Sequence, residues 1–194
     1  MTSSDPAASE TAARKAALRQ QVLAARDALE IDDRLEWDPE ITESVLALPV
    51  FEKGLAVSAY WPMRSEADPR PIMEALHARG IALCLPAIVE RRMVFRRWAP
   101  YEPIVPGGFG TLVPRPEEPE VEPDILIVPL AAFDRRLCRI GYGRGYYDRA
   151  IAELKPVATI GIAYAAQEVA AVPDEPHDEV LDWIVTERET LGRR

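Results

Sequence analysis

The stretch from Asp124 to Arg149 reads DILIVPLAAFDRRLCRIGYGRGYYDR, and its second half concentrates residue types that grip anions. Gly141, Gly143 and Gly145 recur at every second position. Alternate glycines let a backbone approach a ligand closely and aim its N–H groups at it. A helix starting just after them would add the positive end of its dipole. Arg135, Arg136, Arg139, Arg144 and Arg149 crowd the same window, with Asp134 at its edge and Asp148 inside. The guanidinium is a planar fork matched to phosphate and carboxylate. Residues 135–149 hold five arginines and one acid, a local charge of +4 in a chain of net charge −9. This chemistry suits a compact polyphosphate. The loop has no GK[ST], so it is not a P-loop, and its spacing and chain position do not fit a dinucleotide fingerprint. The plain alternative is a glycine-rich connection with solvated arginines.

The loop needs a scaffold. Ile125–Val128 is a short apolar run that reads as a buried strand, and ligands of open parallel sheets sit beyond the carboxyl ends of strands. Further buried strands are read at 55–60, 81–85, 93–98, 157–162 and 181–185. Helices are read from Ser9 to about Leu29, from Asp38-Pro39 to before Pro49, over Pro71–Arg79, and after the glycine loop to about Leu154. Residues 102–123, with six prolines and five glutamates, read as a surface loop. Short apolar strands alternating with helices predict a single-domain α/β fold, a mostly parallel sheet with helices on both faces. The domain is read as 9–194, after a disordered leader at 1–8. Lys15 and Arg19, four apart on the first helix, share one face.

Composition narrows the function. The 194 residues suffice for one core without disulfides or a structural metal. Net charge −9 argues against a nucleic-acid coat or a polybasic membrane binder. Only three of the 23 cations are lysines. Cys84 and Cys138 are the only cysteines and neither sits in a C-x-x-C, which favours a reducing, cytoplasmic compartment. No apolar run approaches membrane-spanning length, and MTSSDPAASE lacks the pattern of a secretory signal.

ILIVPLAAFD followed by IGYGRGYYDR resembles the signature of the 5-formyltetrahydrofolate cyclo-ligase (5,10-methenyltetrahydrofolate synthetase) family. Lys15-Ala-Ala-Leu-Arg19 is similar to that family's N-terminal K-x-x-L-R helix. Tyr60–Asp68 (YWPMRSEAD) is similar to the segment that brings a glutamate to the folate. Phe109-Gly110 with Pro114, Gln167, Pro173 with His177-Asp178, and Val185-Thr186-Glu187 follow in family order. The matches run from about residue 15 to 187.

The resemblance implies an ATP-dependent ligase that closes 5-formyltetrahydrofolate to 5,10-methenyltetrahydrofolate, releasing ADP and phosphate. The formyl oxygen is phosphorylated first, and N10 then attacks the activated carbon. The resemblance also implies residue roles. Lys15, Arg19, Arg139, Gly141, Tyr142, Gly143, Arg144, Gly145, Tyr146 and Tyr147 would hold ATP. Trp61, Met63 and Glu66, with Tyr142 to Tyr146, would hold the folate. Arg144 and Tyr147 would act in catalysis, and Asp148 and Asp178 would bind Mg²⁺. Taken singly, each has a plainer reading: Lys15 and Arg19 as a solvated helix face, Glu66 as a helix cap, Trp61 and Met63 as core. Two positions depart from the pattern. Leu137 stands where the family often has glycine, which predicts a turn of different shape. Val113 precedes Pro114 where a glutamate is usual, which removes a polar contact from that loop. Rival readings are an ATP-binding relative acting on another substrate and a non-enzymatic nucleic-acid-binding module. A monomer is expected, with a dimer as the alternative.

Overall fold

The computed structural model describes residues 6–52 and 54–193. The chain opens with α1 (Pro6–Asp27) and α2 (Ile31–Leu46), then β1 (Ala56–Ser58), α3 (Arg70–Ala78), β2 (Ala82–Val89) and β3 (Arg92–Arg97). A small hairpin, β4 (Ile104–Pro106) and β5 (Leu112–Pro114), encloses one 3-10 turn at Gly108–Gly110. The side chain of Phe109 lies outside the described residues. Then come β6 (Ile125–Pro129), the short pair β7 (Ala132–Phe133) and β8 (Arg139–Ile140), α4 (Tyr146–Leu154), β9 (Ala158–Ile162), β10 (Trp183–Val185) and β11 (Thr190–Gly192).

Seven strands form one sheet in the order β11-β10-β9-β6-β1-β2-β3. The inner five run parallel, and β3 and β11 close the edges antiparallel. Alternation along β6 shows why helices cover both faces. Ile125 and Ile127 join Ile41 and Val45 of α2 and Ile72, Met73 and Leu76 of α3. Leu126 and Val128 point the other way, to Ala150 and Ile151 of α4. α1 packs through Val22 and Leu18 against the β7–β8 pair. No described helix is long and apolar enough to cross a membrane.

Several elements differ from the sequence reading. α1 begins at Pro6, ahead of the expected Ser9, and residues 1–5 lie outside the described residues. α2 begins at Ile31 and carries Pro39 inside it. Proline removes one helical hydrogen bond, the one to the carbonyl four residues back. Here that residue, Leu35, is largely exposed, so water can serve its carbonyl. The first-turn acids Asp32 and Asp33 mark the true start. β2 continues through Pro86 to Val89 and turns back at Glu90 and Arg91, both with positive φ (48° and 66°). Such a turn matches the twist of an antiparallel hairpin. The surface loop at 102–123 contains the β4–β5 hairpin.

From β1 the chain proceeds to β2 on one side, and from β6 it proceeds to β9 on the other. The sheet therefore has its switch point between β1 and β6, where open α/β sheets leave a crevice at the carboxyl ends of their strands.

Candidate active site

A cavity of about 180 Å³ occupies that crevice. Tyr60 and Trp61 reach it just beyond β1, Pro129 ends β6 at its edge, and Pro86, Ala87 and Ile88 of β2 supply an apolar wall. Thr111 and Leu112 of the β4–β5 hairpin close one side. Nine of the residues expected at the site line it with them: Met63, Glu66, Gly141, Tyr142, Arg144, Gly145, Tyr146, Tyr147 and Asp148. Trp61 and Arg139, also expected, belong to the same lining.

The glycine loop delivers these groups because its backbone is left-handed where the turn needs it. Gly143 and Gly145 have φ of 89° and 62°, conformations that side-chain-bearing residues adopt only at a cost. A Cβ on Gly143 would sit 3.4 Å from the Arg19 guanidinium. Gly145 stands immediately before α4, and Asp148 lies in that helix's first turn.

α1 and the loop 173–179 lie behind the glycine loop, and Lys15, Arg19, Gly143 and Asp178 do not themselves line the cavity. Arg19 Nε donates to Gly141 O at 2.7 Å, so Arg19 stitches α1 to the glycine loop. Burial works against the Arg19 charge and lowers its pKa. Lys15 Nζ donates to Glu175 at 2.8 Å and to Asp178. Burial alone would lower the Lys15 pKa, but these carboxylates hold it above the ordinary value. Arg139 binds Asp148 Oδ1 at 2.9 Å and the Glu179 carbonyl at 2.6 Å. The Glu179 amide also donates to Asp148 Oδ1, at 3.2 Å. Asp148 is thereby tied to the residue next to Asp178, although Asp178 itself is not part of the cavity wall. Glu175, His177 and Asp178 bring potential ligand atoms within 4.8 Å of one another.

The opposite end is organised around Glu66, buried at 7 % exposure. Its Oε2 accepts the Met63 amide at 2.8 Å, and its Oε1 accepts the Tyr142 hydroxyl. Glu66 therefore caps its own tight turn, not the helix near Pro71. Burial raises its pKa, while the Tyr142 and Met63 hydrogen bonds and the Arg26 charge oppose the rise. Burial also pushes the Tyr142 and Tyr147 phenols far above their usual range. Near neutral pH both keep their protons, and Tyr142 donates its own to Glu66.

The five arginines of the loop do not all serve the cavity. Arg139 and Arg144 line it. Arg135 instead meets Glu168 at 2.9 Å and Glu189, and Arg136 meets Asp134 at 2.8 Å and Asp174 at 3.0 Å. Arg149 lies 5.0 Å from the centre of the Tyr146 ring. The loop's positive balance is thus answered partly by carboxylates of distant segments, at Arg135 and Arg136, and partly by neighbours in sequence, Asp134 for Arg136 and Asp148 for Arg139. Leu137 has φ of 67° and is 5 % exposed, packed among Phe133, Val128 and Leu181. It takes the left-handed conformation a glycine would take, so the turn is kept and Leu137 fills core space. Val113 packs onto Gly107, where a Cβ would meet it at 2.7 Å, while its neighbours Thr111 and Leu112 line the cavity.

Sequence reasoning missed Arg26, which reaches Tyr142 from inside the fold. Its signal was available: Lys15, Arg19 and Arg26 are spaced four and seven apart, one stripe on a helix. The β2 wall was missed because it depends on a hairpin that the sequence reading did not join. Cys84, with its thiol pushed up to about 12 by burial, and Cys138 are core residues.

The chain matches the model of the 5-formyltetrahydrofolate cyclo-ligase family over residues 11–187. It is 28 % identical over 153 residues to a 5-formyltetrahydrofolate cyclo-ligase of Haemophilus influenzae, covering 74 % of this chain and 82 % of the relative. Its fold superimposes on a 5,10-methenyltetrahydrofolate synthetase of Aquifex aeolicus with a TM-score of 0.81, at 29 % identity and 92 % coverage of both chains. A 5,10-methenyltetrahydrofolate synthetase of Mycoplasma pneumoniae gives a TM-score of 0.73 at 26 % identity, covering 89 % of this chain and 98 % of that one.

Proposed function

Because the chain belongs to the 5-formyltetrahydrofolate cyclo-ligase family, we propose that it closes 5-formyltetrahydrofolate to 5,10-methenyltetrahydrofolate, converting ATP to ADP and phosphate. The observation that carries this reading is the two-ended cavity. A buried carboxylate between aromatic and apolar walls stands at one end, and a glycine loop backed by a helix N-terminus stands at the other. Tyr142 belongs to both ends.

The chemistry has one obstacle, a poor leaving group. The N5-formyl oxygen must depart when N10 attacks the formyl carbon. Transfer of the terminal phosphoryl group of ATP to that oxygen turns it into a phosphate ester. N10 then attacks, the C–O bond breaks, phosphate leaves with the bonding electrons, and the N10 proton is released. The protein's contribution is positioning and charge neutralisation. Glu66 accepts paired N–H donors from the flat pterin edge, as an ionised carboxylate can. Trp61 and Met63 flank it. The N–H groups of the glycine loop and Arg144 meet the phosphates, and Arg144 offsets charge on the phosphoryl group in transfer. Tyr147 keeps its proton and donates a hydrogen bond to the reacting oxygens. Lys15 and Arg19 approach from α1, and Lys15 exchanges carboxylate partners for phosphate oxygens when nucleotide binds.

The donor set fits Mg²⁺. Asp148 and Asp178 offer hard carboxylate oxygens, with Glu175 next to Asp178. The known donors to Asp148 both fall on Oδ1, and a carboxylate has about four lone-pair positions. Asp148 and Asp178 would hold the ion, which when bound supplies charge neutralisation at the phosphate oxygens. The reading is tested by mixing purified protein with 5-formyltetrahydrofolate and Mg-ATP. Near-ultraviolet absorbance of the methenyl product should grow with time and require ATP. Folded protein that produces no such gain overturns the assignment.

A further inference from the structure

Arg26 lies on α1, seven residues beyond Arg19, but its guanidinium turns inward and is 3 % exposed. A buried guanidinium is tolerated only when its N–H groups find acceptors. Nε donates to Ser65 Oγ at 3.0 Å and Nη1 to the Tyr142 hydroxyl at 2.8 Å. Nη2 lies 4.0 Å from Asp27 Oδ1, and the Ser65 hydroxyl donates to the same Asp27 oxygen. The Tyr142 oxygen accepts from Arg26 and spends its own proton on Glu66 Oε1. A directional relay thus runs from α1 through the glycine loop to the carboxylate in the cavity wall. A cation behind a hydroxyl polarises its O–H bond and strengthens the donation ahead of it. Ion networks of this kind add little to stability compared with apolar packing, so orientation is the better account of why a charge is buried here.

We propose that Arg26 is a positioning residue for substrate recognition: acting through Tyr142, it fixes the direction in which Glu66 presents its acceptor oxygens to the folate. This rests on the reading of Glu66 as the folate acceptor. The relay links three segments far apart in sequence, and Ser65 holds the guanidinium from the same turn that carries Glu66. The groups that face Glu66 are Arg26 from α1, Tyr142 from the glycine loop, Tyr147 from α4 and Tyr60 from the end of β1. Burial raises the tyrosines, leaving Glu66 as the group of this set that titrates in the acid range.

The test is steady-state kinetics on the full chain with 5-formyltetrahydrofolate and Mg-ATP, for Arg26→Met, Arg26→Lys, Tyr142→Phe, the double variant Arg26→Met/Tyr142→Phe, and Glu66→Gln. Arg26→Met should raise the folate KM roughly tenfold or more, the range for a hydrogen bond involving a charged group, with the KM for ATP changed about twofold or less. Arg26→Lys should recover part of the loss. The double variant should be no worse than the poorer single variant, because both cut one relay. The acid limb of the folate KM profile should move to higher pH in Arg26→Met, since the guanidinium charge no longer opposes protonation of Glu66. Additive losses in the double variant, or an unchanged folate KM in folded Arg26→Met and Arg26→Lys, overturn the proposal. If Arg26→Met does not fold, Arg26→Lys and Tyr142→Phe decide it by the same KM and pH readings. Glu66→Gln separates the two layers. A raised folate KM there, with Arg26 variants unaffected, refutes the relay alone. An unchanged KM there refutes the reading of Glu66 and the relay with it.

Discussion

A carboxylate that must accept N–H donors works only when ionised, and burial makes ionisation harder. On the proposed reading Glu66 is in that position, with its pKa raised mainly by burial. Its carboxylate therefore protonates at a higher pH than an ordinary glutamate as acid is added. Folate affinity should accordingly be full above the raised pKa and fall as pH drops through it. KM for 5-formyltetrahydrofolate, measured across pH at saturating ATP, should climb on the acid side, and Glu66→Gln should flatten that climb. At the other end of the cavity, Asn can keep the hydrogen bonds that Arg139 and the Glu179 amide make to Oδ1 of residue 148. Asp148→Asn should therefore fold normally, bind folate nearly as well and lose turnover. Its half-saturating Mg²⁺ concentration should rise about tenfold or more, in line with the loss of one anionic ligand. An unchanged Mg²⁺ titration would remove Asp148 from the metal role.

Elements place these groups through a few close contacts. Gly161 in β9 lies beneath Leu130 and Leu181, where a Cβ would approach their methyls to 2.8 and 2.7 Å. Gly161→Ala should cost roughly 1–3 kcal/mol by overpacking, read by chemical denaturation. Leu137 sets two effects against each other. Glycine would relieve the left-handed strain, about 1–2 kcal/mol, but would remove a buried leucine, a loss of about 2–5 kcal/mol. Leu137→Gly should thus be destabilising by roughly 1–3 kcal/mol, and a more stable variant would show that strain dominates. Legibility in the sequence followed the range of the forces involved. The continuous apolar run Ile125–Val128 and the glycine loop ahead of α4 are local patterns; the first points to a buried strand of a parallel sheet, and the second to the residues that line the cavity. Pro39 misled because its tolerance depends on Leu35 being exposed, a tertiary fact. Arg135 and Arg136 share the cavity's window in sequence but not in space, because Glu168, Glu189 and Asp174, tens of residues away, draw them off together with the adjacent Asp134. The apolar wall of β2 required knowing that residues 90 and 91 turn back.

At the scale of the molecule, the cavity is lined by parts from both halves of the sheet, and the N-terminal helix braces its glycine loop from behind through Arg19 and Arg26. A ligand bridging them should stabilise the whole. At a Mg-ATP concentration about 100 times its Kd, binding adds about 2.7 kcal/mol. For a chain of this size that raises Tm by about 5–10 °C, measurable by thermal shift, with no shift for Mg²⁺ plus AMP at the same concentration. The position of α1 has a further effect, on timing. Its contacts to the site span 116 residues for Arg26, 122 for Arg19, and 160 and 163 for Lys15. Loop closure over such separations is slow compared with forming local pairs such as β2–β3. α1 must therefore wait for segments translated well after it, and a nascent chain stopped before residue 141 carries the Lys15, Arg19 and Arg26 stripe with none of these partners. On the proposed reading, both ends of the site are completed only when these distant segments reach α1, so binding competence is acquired late in folding.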